Sequence, residues 1–211
     1  MPHLGAFSLF LLAALILAVT PGPAVLYIVT RSVSQGRIAG VVSCLGIALG
    51  TLVHVVAAAL GLSAVLASSA LAFSLVKYAG AAYLIWLGCR KLLRGADTRA
   101  FAPLEARSLR RVFWEGALVN VLNPKTALFF LAFLPQFVDP SAGPAWSQLL
   151  MLGGTFALVA FCTDCTWGIL AGSAGAWLKS HPRFPQSERY VSGSVYVGLG
   201  LATAFASAGR K

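Results

Sequence analysis

The chain has 211 residues, of which 58% are hydrophobic and 10% charged, and its formal net charge is +10. Soluble domains carry about 25% charged residues, and a domain this small keeps too much surface per volume to hide so much apolar area in one core. An ordinary soluble enzyme, a disordered chain and a collagen-like chain are excluded; the composition fits a protein dissolved in lipid.

About 20 apolar residues in a helix cross the hydrocarbon of a bilayer. The first such run is 5–29. Only His3 precedes it, so there is no basic leader, and we read it as an uncleaved span. Residues 38–89 hold one charge, Lys77, and are too long for one span; the polar-small stretch from Ser63 to Ser69 divides them into about 38–60 and 70–89. Residues 90–112 form the one long polar loop. Runs at about 113–137, 146–172 and 190–208 complete the chain. The expected fold is an all-α integral membrane protein of six transmembrane helices in one polytopic domain.

The basic residues lie between apolar runs, not on a basic face, which argues for membrane topology and anionic lipid rather than nucleic acid. Arg31 and Arg37 fall in the first loop. Arg90, Lys91, Arg94, Arg99, Arg107, Arg110 and Arg111 fall in the third, and Lys179, Arg183 and Arg189 in the fifth. These hold twelve of the sixteen basic residues, so loops 1, 3 and 5 are expected in the cytoplasm, with both termini outside. Arg210 and Lys211 oppose this weakly.

Helix 1 contains Thr20-Pro21-Gly22-Pro23 and helix 4 contains Asn123-Pro124-Lys125. In each, a residue type that caps helices precedes a proline, a pairing that starts a helix. Proline in mid-helix costs about 3 kcal/mol, and in lipid the freed backbone groups need partners. Pro21 lies about 15 Å of helix from Arg31, and Pro124 about 20 Å from Arg111, so both breaks reach the central zone. Two breaks, each in the first helix of a three-helix half, predict inverted repeats over about 5–89 and 113–208, as in secondary transporters.

Four ionisable residues lie within spans: His54, Lys77, Lys125 and Asp164. Charge inside a bilayer is costly, so each is a functional candidate. Asp164 shares a face with Gly153, Ala157, Ala160, Gly168 and Gly172, and small residues face neighbouring helices. A carboxyl so placed can exchange a proton during transport, or serve as a fixed partner of Lys77 or Lys125. Lys77, on a face with Gly80, Ala81, Leu84 and Gly88, is a candidate for a substrate carboxylate. Lys125 stands beside a half-helix N-terminus, whose free N–H groups and positive dipole end suit an anion; Gly22 offers close backbone approach in the other half. His54 shares the face of Gly46 and Gly50; it is a candidate proton relay, with a packed neutral histidine the preferred reading.

Cys162 and Cys165 form a C-x-x-C pair that points away from the Asp164 line, so apolar filler is the favoured reading. Glu115 follows Arg111 by one turn, which an i,i+4 surface pair explains. Trp146 and Tyr190 read as interfacial anchors.

With these residues in place, the chain resembles the LysE/RhtB family of bacterial amino-acid exporters. Pro21-Gly22-Pro23 is similar to the family's signature in helix 1. Lys77-Tyr78-Ala79-Gly80-Ala81-Ala82-Tyr83-Leu84 with Leu87-Gly88 resembles its third span. Phe113, Gly116, Asn120, Asn123-Pro124-Lys125, Phe129-Phe130 and Leu134-Pro135-Gln136-Phe137 resemble its fourth. Asp164 falls where the family places an acid. The resemblance implies six spans in the cytoplasmic membrane and proton-driven efflux of amino acids or close derivatives. The expected partners are thus the amino-acid substrate, protons and lipid, without cofactor, metal or enzymatic activity; a homo-oligomer is left open. The competing class is a transmembrane thiol–disulfide electron carrier, which requires cysteines at the breaks, and neither break has one. A metal-ion exporter is opposed by the single buried acid.

Overall fold

The computed structural model describes residues 4–62, 70–93, 106–173 and 184–205, which are helical with short connections and contain no strand. Helix α1 (Leu4–Val19) is apolar on every side. Pro21 has no N–H to continue its ladder, and Pro23 has a φ already set for a new first turn. The chain therefore breaks and restarts as α2 (Pro23–Gln35), bent by 45°. Gly36, at φ +86°, turns the chain in one residue and donates its N–H to the Ser32 carbonyl at 2.9 Å; a Cβ disfavours that backbone conformation. Helix α3 (Arg37–Ala57) ends in a π turn, Ala58–Leu62. Helix α4 spans Ala70–Leu93.

The second half repeats the event. Helix α5 (Leu109–Val121), capped by Ser108, stops before Pro124, and α6 (Pro124–Leu128) restarts. It runs on through a π turn, Phe129–Phe133, and a 3₁₀ turn, Leu134–Phe137; the pair is bent by 44°. Helices α7 (Ala145–Ser173) and α8 (Phe184–Phe205) follow.

Arg37–Leu62 and Ala145–Ser173 are each long and apolar enough to cross a membrane, and each bent pair passes the same test as one span. By length and composition the described residues hold two to four spans, against an expectation of six; α4 and α8, where the third and sixth were expected, are helices that do not meet the test. Several expected boundaries are corrected. Arg31 is inside α2 rather than in a loop, and 98% of its surface is buried. The polar loop is shorter than 90–112, because α4 continues to Leu93 and α5 begins at Leu109. Helix α8 begins at Phe184, ahead of the apolar run expected from about 190. Arg94, Arg99, Lys179, Arg183, Arg210 and Lys211 lie outside the described residues.

Missing side chains let the helices touch. A Cβ on Gly46 would stand 2.1 Å from the Phe113 carbonyl oxygen, and one on Gly50 2.7 Å from that of Ala117, so α3 and α5 meet backbone to backbone. A backbone atom cannot rotate aside. Gly46→Ala is expected to force the pair apart and destabilise the protein by about 1–3 kcal/mol; an unfolding midpoint in detergent equal to wild type would contradict this. Gly168 and Gly172 of α7 lie against Ile28 and Arg37, which confirms that the small-residue face of this helix is turned inward. An aromatic cluster fills the space between α1, the turns after α6 and α7. In it Phe129 stacks on Phe156 at 4.5 Å, and Phe10 meets Phe137 edge-on at 5.4 Å.

Candidate functional site

The two breaks face each other. Gly22 ends one, and a Cβ there would lie 3.1 Å from Lys125 Cδ at the other. Lys125 Nζ donates a hydrogen bond of 2.5 Å to the carbonyl of Thr20. A cavity of about 30 Å³ lies here, lined by Ala24 and Val25 of the first turn of α2, by Asn123, Lys125 and Thr126 at the start of α6, by Thr51 and Asn120, and by Asp164. Lys125 and Asp164 are 7% and 6% exposed. Among the described residues none donates a hydrogen bond to the Asp164 carboxylate or forms an ion pair with it.

The start of α6 is tightly specified. Asn123 caps it, its Oδ1 accepting from the Lys125 N–H at 3.1 Å, which satisfies one of the orphan donors of a helix start. The amide of Asn123 is oriented in turn, since its Nδ2 donates to Asn120 Oδ1 at 3.2 Å. Asn120 is buried with both donors and both acceptor positions in use. It donates to the Ile47 carbonyl at 2.9 Å and to Thr51 Oγ1 at 2.8 Å, and accepts from Asn123 and from Thr126 Oγ1 at 3.0 Å. One amide thus joins α3, α5 and α6. An amide has no further strong valence to offer, so Asn120 positions the break.

The first break is built differently from its expectation. Thr20 does not cap the following helix. Its hydroxyl donates back to the Ile16 carbonyl at 2.5 Å, and Gly22, which has no side chain to offer, is the cap residue of α2. With prolines at 21 and 23, the first helical position falls on Pro23, one residue pair later than a cap at Thr20 requires. Lys125 is likewise placed on a carbonyl at the end of α1, not over its own N-terminus.

Of the sequence candidates, Asn123, Lys125 and Asp164 line the cavity; Thr20, Pro21, Gly22, Pro23 and Pro124 form the breaks but are not among its lining residues, and neither are Lys77 and His54. Lys77 is buried on α4 with its ammonium 5.5 Å from the Tyr78 ring centroid. His54 packs against the Phe130 ring at 5.9 Å and bonds the Asn120 carbonyl through Nε2 at 3.0 Å. A carbonyl only accepts, so Nε2 carries the proton. The cysteines are free thiols; Cys44 is buried and Cys162 exposed, and none lines the cavity. Nothing in their placement supports the electron-carrier alternative. Among the described residues no three His, Cys, Asp or Glu side chains group as metal ligands.

Glu115 is more than a surface partner of Arg111. Its Oε1 accepts from Arg111 Nε at 3.0 Å and from Arg107, while Oε2 pairs with the buried Arg31 at 3.0 Å. Tyr27, Gln35 and the Val112 carbonyl complete a clasp between α2 and the start of α5. Spacing along the chain disclosed only the local Arg111 pair.

A cavity lined by polar and apolar side chains alike, between two broken apolar helices, fits a multi-pass membrane protein with a buried site. The chain belongs to the LysE type translocator family, which it matches over residues 15–207. It is 32% identical over 199 residues to an uncharacterised membrane protein of Vibrio cholerae, covering 94% of this chain and 96% of that one. It is also 32% identical over 197 residues to a homoserine/homoserine lactone efflux protein of Salmonella typhimurium, covering 93% and 95%. A Bacillus subtilis membrane protein is 32% identical over 199 residues, covering 90% and 94%. No solved structure matches the chain.

Proposed function

We propose that the protein exports amino acids or close derivatives across the bacterial cytoplasmic membrane by proton antiport, with the cavity between the breaks as its substrate site. The observation that carries this reading is the Lys125–Thr20 bond, which brings the two breaks together beside the buried acid Asp164. Broken helices place unpaired backbone groups of both signs near mid-membrane, where a zwitterion can use them. Family membership and the Salmonella relative, a homoserine/homoserine lactone efflux protein, support an amino-acid-like substrate. Two inverted repeats, about 5–89 and 113–208, are supported by the near-equal bends of 45° and 44°, each followed by a proline at the helix start. Six spans, read from the apolar runs and the family likeness, with loops 1, 3 and 5 in the cytoplasm, read from the basic bias, complete the proposal.

In this reading Asp164 carries the proton and Lys125 meets the substrate carboxylate, within a frame set by Asn120 and Asn123. A panel of labelled amino acids, homoserine and homoserine lactone included, loaded into vesicles bearing the protein tests it. Efflux of at least one member, accelerated by an imposed pH difference, is expected. Efflux of none, or efflux indifferent to that difference, would refute export or antiport respectively.

A further inference from the structure

We propose that the Thr20 carbonyl and the Asp164 carboxylate form a subsite for a primary ammonium group, and that the Lys125 side chain occupies it as a tethered stand-in for the ammonium of the substrate. The inference deepens the amino-acid reading of the same cavity and rests on it. Three observations carry it. Lys125 Nζ lies 2.5 Å from the Thr20 carbonyl oxygen, a short charge-assisted bond between α6 and the end of α1. That carbonyl stands at the C-terminal end of a 16-residue helix, the negative end of its dipole. Asp164 lines the cavity with Lys125, is 94% buried, and receives no hydrogen bond from any described residue. A helix C-terminus and a buried carboxylate that accepts no hydrogen bond from a described residue are both complementary to a cation, and the cation now nearest the carbonyl belongs to the protein itself.

The consequence is selection by exchange. An α-amino acid brings an ammonium that replaces Nζ at Thr20, and a carboxylate that receives the displaced Lys125. An ester carbonyl on the same carbon offers the displaced lysine an acceptor too. A simple amine supplies only the first half of the exchange, because it brings no acceptor oxygen for the displaced lysine. A simple carboxylic acid leaves the lysine where it is. A molecule therefore needs an ammonium and an acceptor oxygen on neighbouring carbons to occupy the cavity.

Lys125→Ala removes the side chain beyond Cβ, a fragment that n-propylammonium reproduces. Binding of n-propylammonium is measured by calorimetry on full-length protein in nanodiscs. Wild type is expected to bind it at least about tenfold more weakly than Lys125→Ala does, and adding Asp164→Asn to Lys125→Ala is expected to remove the gain. If Lys125→Ala does not yield folded protein, Lys125→Met, which keeps the volume of the stem, is read the same way with ammonium ion. Equal amine binding by wild type and variant, or a gain that survives Asp164→Asn, would overturn the subsite. Binding is read without transport, so the two ideas fail separately. Export without any amine gain removes the subsite alone; an amine gain without export removes the transport reading alone.

Discussion

Asp164→Asn is expected to abolish uphill export under an imposed pH difference while leaving substrate binding or exchange measurable. Asn keeps the shape of the side chain and removes its titration. The acid sits 6% exposed in a cavity shared with Lys125, and a buried carboxylate without a paired cation is costly by several kcal/mol. Its proton occupancy must therefore follow the position of the nearest cation. When substrate draws Lys125 away, that position changes, which ties protonation to occupancy. Loss of gradient-driven accumulation by at least about a hundredfold is expected, because an uncoupled carrier equilibrates its substrate and does not concentrate it. An Asn variant that builds the wild-type gradient would make Asp164 a structural residue.

The second large effect concerns Glu115. Glu115→Gln is expected to cost about 3 kcal/mol of stability, because it strips the carboxylate from Arg31, which is 2% exposed and cannot recover solvent. The same carboxylate serves Arg107 and Arg111, but these are 35% and 63% exposed and are hydrated when it is lost. Arg111→Gln is thus expected to shift the unfolding midpoint in detergent only slightly. If the two variants unfold together, or both match wild type, the pairing of buried Arg31 with Glu115 is not the member of the clasp that matters.

The breaks were legible in the sequence because proline acts locally: its missing N–H ends a ladder whatever surrounds it. The inward face of α7 was legible because Gly153, Ala160 and Gly168 mark it at helical spacing around Asp164. The burial of Arg31 was not, since a basic residue after an apolar run reads as a loop until the α2–α5 contact supplies Glu115. Asn120 entered only through family likeness; its four hydrogen bonds come from residues 3 to 73 positions away, a set that only the fold assembles. Lys77 is buried but lies outside the cavity lining, because α4 packs along α8, and which helices become neighbours is not written in the period of either one.

Two assemblies of unlike material hold the helices around the breaks. Toward Arg31 stands the clasp, three arginines on one glutamate. Toward Phe10 stands the aromatic cluster, which holds no charge. The clasp carries an excess of two positive charges, so its movement along the membrane normal does work against the membrane potential, on the order of 2.3 kcal/mol per charge carried through 100 mV. The rings can separate or close with no electrical work at all. Voltage can bias the clasp and is blind to the rings.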